Sequence, residues 1–218
     1  MGLGLWQLER LQWKLELIAQ IQRNMHAPAI SLGQALKLGI EHAQYRRVTA
    51  RGSLDNTKEN YLYTTGPGGG PVYHVLTPLL VGSGNAVMTD RGYIPVSLRD
   101  PATRSEPNGQ LEYVGILRMP DKSGTFTPSP DLHHRVWFTR DVEAMARRDH
   151  LRLVAPVILE AVATPGEKWP HGGQTRIDLP NDHLEYALTW FLLAMTLAIV
   201  YLTWHRARGR LSYSPFAK

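Results

Sequence analysis

The sequence predicts an α+β protein: a mainly antiparallel β domain flanked by an N-terminal helix and a C-terminal transmembrane helix. Three observations carry that expectation. Residues 8 to 25 set apolar side chains at helical spacing among charges. Residues 41 to 163 break into short β-branched and aromatic runs separated by Gly, Pro, Asn and Ser. Residues 186 to 204 are nineteen positions without a formal charge. A chain of 218 residues has room for one domain with a real core plus an anchor.

Taken from the start, MGLGLWQLERLQWKLELIAQIQRNM reads as a membrane-proximal helix over residues 1–28. Leu8, Leu11, Leu15, Ile18 and Met25 keep helical spacing, while Glu9, Arg10, Lys14 and Glu16 occupy the other faces. The segment is too charged to span a bilayer. It lacks the charged start, long apolar stretch and cleavage site of a signal peptide. An outward-facing domain needs something to export it, so this helix is expected to be the end of a missing or truncated first span.

Residues 29–182 are expected to form the outward-facing, periplasmic α+β domain. Strands are expected at YRRVTARGSL, YLYTT, VYHVLTPLLV, NAVMTDRGYIPV, QLEYVGILRMP and LRLVAPVILEAVA. Gly-Pro-Gly-Gly-Gly-Pro, after YLYTT, is a loop. The one convincing internal helix is RDVEAMARRDH, from about residue 141 to 149.

The transmembrane helix is expected over 183–205. Its charge-free stretch of about 28 Å is close to the ~30 Å hydrocarbon thickness. Tyr186 and Trp190 stand near one end and Tyr201 and Trp204 near the other, as interfacial aromatics do. Asp178, Asp182 and Glu185 precede or open the span, and His-Arg-Ala-Arg-Gly-Arg follows it. The positive-inside rule therefore places the basic tail, 206–218, in the cytoplasm and the main domain across the membrane.

Charge location also excludes a function class. Arg206, Arg208, Arg210 and Lys218 supply four of the net five positive charges, so the rest of the chain is almost neutral. A nucleic-acid binder carries a basic stripe on its folded part. With no cysteine, disulfides, zinc-thiolate sites, iron–sulfur clusters and thiol nucleophiles are excluded as well. The glycine loop lacks a Gly-Lys-Ser/Thr ending, and neither Gly-x-Ser-x-Gly nor His-Glu-x-x-His occurs. The expectation is a protein that is not an enzyme. His133 and His134 would face opposite sides of a strand and are read as surface residues. His26, His42, His74, His150 and His171 are read as solvated or hydrogen-bonded singles.

Four blocks carry a family resemblance. Trp6-Gln7-Leu8-Glu9-Arg10-Leu11-Gln12-Trp13-Lys14 resembles the segment after the first span of the surfeit locus protein 1 family. Tyr73-His74-Val75-Leu76-Thr77-Pro78 and Asp90-Arg91-Gly92-Tyr93-Ile94-Pro95 resemble its two internal signatures, Tyr93 standing where tryptophan is commoner. Pro180-Asn181-Asp182-His183-Leu184-Glu185-Tyr186-Ala187-Leu188-Thr189-Trp190 is similar to the start of its second span. The blocks follow the family's order from residue 5 to about 204.

The resemblance implies a membrane-bound assembly factor for haem–copper terminal oxidases, built as span, outward domain, span. For bacterial members it implies an inner-membrane location, haem a as cofactor and the second-span histidine, here His183, as the iron ligand. Oxidase subunit I, the lipid bilayer and a haem a synthase are the implied partners. A haem-independent chaperone or scaffold for subunit I is the alternative. Around His183, Asp182 and Glu185 have the spacing of a capping box. His183, Ala187, Trp190 and Ala194 share one face, where small residues would admit a flat macrocycle. Tyr186 and Trp190 are candidate cofactor contacts, with belt and packing roles as the competing reading. Gly92 is expected to provide a positive φ or close packing. Arg10 and Lys14 would meet lipid phosphates, haem propionates or the acids before His183.

Overall fold

The computed structural model describes residues 2–82, 84–104, 107–121, 123–163, 169–173 and 181–210. Asp178, Pro180 and Lys218 lie outside the described residues. The chain divides into two compact units, Ile21–Ile177 and the pair Met1–Gln20 with Asp178–Lys218.

Unit Ile21–Ile177 is built on strands β1 (Ile30–Ser31), β2 (Arg47–Leu54), β3 (Asn60–Thr65), β4 (Pro71–Leu80), β5 (Asn85–Pro95), β6 (Gln110–Arg118), β7 (Val136–Trp137) and β8 (Arg152–Ala161). They pair in the order β1-β2-β6-β8-β5-β4-β3-β7, with β2 also reaching β4. The ring β2–β6–β8–β5–β4–β2 therefore closes, giving a five-stranded, partly open Greek-key barrel in which β6 meets β8 only over residues 115–118 and β2 meets β4 only at Ser53 and Leu54. Five of the eight pairings are antiparallel, and β1–β2, β3–β7 and β5–β8 are parallel. The sheet is thus mixed, with the expected antiparallel majority.

Alternation along the strands decides what the barrel buries. In β2, Val48 and Ala50 are buried while Arg47 and Arg51 point to solvent. Val48, Leu79, Val87, Leu117, Val157 and Leu159 form one core, joined by Leu32 and Ala35 of α2 (Leu32–Leu38) and Ala43 of α3 (Ile40–Ala43). Each of the Val and Leu side chains stabilises the fold by about 1.5–3 kcal/mol. β5 is buried on both faces. Val87 joins the first core, and Met88 packs in a second with Val142 and Met145 of α4 (Val142–Arg148). Asp141 caps α4 by accepting from the Ala144 amide at 2.9 Å.

All six expected strands and the 141–149 helix are present. α2, α3, β1 and β7 were not expected; α3 has four residues and β1 and β7 two each. A signal for α2 was legible: Ser31 and Gln34 form a reciprocal capping box. His133 and His134 are surface residues as expected, but they do not lie on a strand with opposite faces. The segment is a turn in which Arg135 takes φ 56°, and the two exposed rings stack on one side, 4.7 Å apart.

The other unit contains α1 (Gly2–His26) as far as Gln20, and α5 (His183–Ala207). α5 is long and apolar enough to cross a membrane, and nearly all its apolar side chains face outward. This fits a membrane anchor. Along α1 the less exposed positions run Gly4, Gln7, Leu8, Leu11, Lys14, Leu17, Ile18 and Ile21. The expected stripe is corrected at Leu15, which is 51% exposed and stands off that face.

Candidate functional site

α5 opens on His183. Asp182 and Glu185 do not build the expected capping box: no side chain caps the helix, and Asp182 has φ −90°, ψ 10°. That backbone is already near-helical, whereas a capping side chain folds back from an extended residue. His183 Nδ1 instead lies 2.7 Å from Oε1 of Gln7 on α1. A carboxamide oxygen only accepts, so the ring nitrogen donates, and in a neutral ring the lone pair is then on Nε2.

The two helices run antiparallel here. Gln7 meets His183, and Gly4, one turn earlier in α1, abuts Phe191, two turns later in α5. A Cβ at Gly4 would sit 2.7 Å from the Phe191 ring. The least exposed residues at the start of α5, His183, Ala187, Phe191 and Ala194, recur along one side, and Ala187 is 1% exposed. The face expected to admit a macrocycle therefore receives α1 over its first turns, because small residues on both helices allow close approach. Open apolar space lies to one side. Tyr186, Thr189, Trp190, Leu192, Leu193 and Thr196 line a groove of about 430 Å³. The structure thus brings Tyr186 and Trp190 together in a groove whose lining does not include His183. Arg10 stacks on Trp13, its guanidinium 4.2 Å from the ring centroid.

In the barrel unit, the two internal blocks become neighbours, because β4 and β5 pair with His74 opposite Tyr93. Past a β-bulge between His74 and Leu76, His74 Nδ1 lies 2.8 Å from Asp90 Oδ2. Burial pushes the His74 imidazole down and the Asp90 carboxyl up. The charge and hydrogen bond of each on the other reverse both tendencies, leaving His74 raised and Asp90 lowered. Asp90 also accepts the Gly92 amide at 2.9 Å, and its carbonyl accepts the Tyr113 hydroxyl.

Next in the block, Arg91 donates to Glu59 Oε1 at 2.7 Å, and Arg104 reaches Oε2 of the same carboxylate at 2.6 Å. Tyr61 donates to Glu59 Oε2 at 3.0 Å. Its phenol is pushed up to about 12 by burial and then by the Glu59 charge, so it stays a donor. Arg99, Arg135, His133, His134 and Tyr61 line a shallow cavity of about 400 Å³ beside this network. Sequence reading missed both clusters, since Glu59 and Arg104 lie 45 positions apart and no local pattern joins them.

Gly92 has φ 113° within β5, and a Cβ there would collide with the His171 carbonyl. The Tyr93 and His171 backbones bond reciprocally at 3.1 and 3.0 Å across that contact. The expected positive φ and close packing are both present. Gly92→Ala is expected to destabilise the barrel unit by about 2–5 kcal/mol, combining backbone strain with overpacking. Urea unfolding followed by Trp fluorescence measures it. Among the described residues, no group of three or more His, Asp or Glu is arranged to hold a metal ion.

Comparison with known proteins agrees with the four blocks. A family model described as the SURF1 family matches residues 1–195. Surfeit locus protein 1 of Mus musculus is 34% identical over 216 residues, covering 87% of this chain and 67% of that protein. That of Rattus norvegicus is 32% identical over 214 residues with the same coverage. A SURF1-like protein of Rickettsia felis is 28% identical over 213 residues, covering 94% of this chain and 91% of its own. With the matched model spanning the barrel unit and the first half of α5, the chain belongs to the SURF1 family.

Proposed function

We propose that this protein is an assembly factor for a haem–copper terminal oxidase, anchored in a bacterial inner membrane by α5. It binds haem a at the outer membrane interface through His183 and aids its insertion into subunit I. It catalyses no bond-making step. Residues 1–28 are read as a membrane-proximal helix, 29–182 as the periplasmic domain and 206–218 as the cytoplasmic tail. Arg206, Arg208 and Arg210 beyond the apolar helix support that direction.

The observation that carries the haem reading is the Gln7–His183 contact. Ligating histidines donate their other ring N–H to an oxygen partner, and Gln7 Oε1 is such a partner. This supports the reading: one imidazole nitrogen is held by Gln7, and the other, in a neutral ring, is the one that would meet iron. The groove beside Tyr186 and Trp190 is apolar and of the size that accepts cofactors. Haem a is cargo here, supplying the redox centre of the oxidase it enters. A haem a synthase would deliver it and subunit I would take it away.

The test is a titration of the full chain in detergent micelles with haem a. A saturable Soret band lost in His183→Ala is expected. Protein that never takes up haem would sink this reading and leave the haem-independent scaffold.

A further inference from the structure

The other helical histidines show what His183 lacks. His26 and His205 each place Nδ1 against the carbonyl four residues back, Gln22 O at 2.8 Å and Tyr201 O at 3.1 Å. A helix supplies that acceptor to any histidine past its first turn. His183 is the first residue of α5, so no helical carbonyl stands four positions before it. The acceptor comes instead from another element, 176 positions away in sequence, through Gln7 Oε1 at 2.7 Å.

Gln7 is placed there by packing. It shares the α1 stripe with Gly4 and Leu11, at helical spacing. Gly4 lets the backbone of α1 close on the Phe191 ring, which brings a carboxamide within reach of the imidazole. Leucine, common elsewhere in this helix, would fill the same volume without an acceptor. A carboxylate would fill it with an acceptor and a half-buried charge. Glutamine supplies the acceptor alone.

We infer that Gln7 is a positioning residue for His183: it fixes the Nδ1–H tautomer and ring orientation, so that Nε2 presents its lone pair outward. This rests on the proposed role of His183, but the tautomer exists without any cargo and is measured separately. An imidazole without the partner populates both tautomers and rotates, and loss of such a partner costs roughly 10–100-fold in metal affinity.

The experiment uses the full chain, labelled with 15N-histidine in nanodiscs and free of haem. Signals are assigned to His183 by their absence from His183→Ala. The expected spectrum has a protonated, pyrrole-like Nδ1 and a bare, pyridine-like Nε2. Gln7→Leu should convert this to a tautomer mixture while circular dichroism keeps the helix content. Gln7→Glu, which retains an acceptor, should preserve the wild-type tautomer. In haem a titrations, Gln7→Leu should weaken affinity about 10–100-fold and Gln7→Glu should retain more of it. A protonated Nε2 in the wild type overturns the inference, as do unchanged ring signals or unchanged haem affinity in Gln7→Leu. A wild type with the expected tautomer that takes up no haem leaves the tautomer assignment standing and fails the cargo reading instead.

Discussion

Asp90→Ala is expected to destabilise the barrel unit by about 3–5 kcal/mol at pH 6, the cost of breaking a buried pair by removing one partner. The Asp90 side chain is 3% exposed and that of His74 13%. Without the carboxylate, His74 loses the charge and hydrogen bond that outweigh its burial. The Gly92 amide loses its acceptor as well. The effect depends on pH with a defined sign. Asp90 is lowered, so its contribution is present above the ordinary Asp value and is lost as pH falls through the folded one. His74 is raised, so its contribution is present below the ordinary His value and is lost as pH rises through the folded one. Stability from the pair therefore peaks between the two ordinary values, about pH 4 to 6.5. Urea midpoints taken from pH 4 to 9 should fall with rising pH above about 6.5 in the wild type and show a much weaker fall in Asp90→Ala.

Glu59→Ala is expected to cost a similar amount, about 3–5 kcal/mol, and to retain most of its effect at high pH. Glu59, Arg91 and Arg104 have side chains 3%, 6% and 0% exposed. Removing the carboxylate leaves two guanidiniums facing each other in a low-dielectric interior without the anion they share. Arginine does not deprotonate to relieve this. Thermal unfolding at pH 9 separates the variants: Asp90→Ala should approach wild type there, and Glu59→Ala should not. A Glu59→Ala protein as stable as wild type would show that the network contributes little.

The fold was legible where one local pattern decides it. Six strands and the 141–149 helix could be read because each carries its own periodicity or punctuation. β1 and β7, two residues each, carry none. Barrel closure was not legible, because the β2–β4 contact that closes the ring pairs only Ser53 with Leu80 and Leu54 with Leu79. The candidate site divides in the same way. His183 was readable from its place at the mouth of an apolar run, and Gly92 from its residue type. The His74–Asp90 pair and the Glu59 network were not, although three of those residues lie in quoted blocks. Their partners are set by strand register and a bulge, which single-sequence spacing does not encode. The capping box failed for a different reason: Asp182 and Glu185 have the right spacing, but the Asp182 backbone is not in the conformation a cap needs.

The Gln7–His183 contact was hidden too, although both residues stood in quoted blocks. Helical spacing showed one stripe on α1 and one on α5, and nothing in either stripe states that they face each other. The structure supplies that link through Gly4 and Phe191.

The role proposed for His183 is to hold haem iron through one imidazole nitrogen. Resonance Raman spectra of the ferrous, haem-loaded full chain test it most directly, with and without 15N-histidine labelling. An iron–nitrogen stretch that shifts on labelling and disappears in His183→Ala is the predicted result. The same stretch persisting in His183→Ala, or a loaded protein without any histidine-sensitive band, would contradict it.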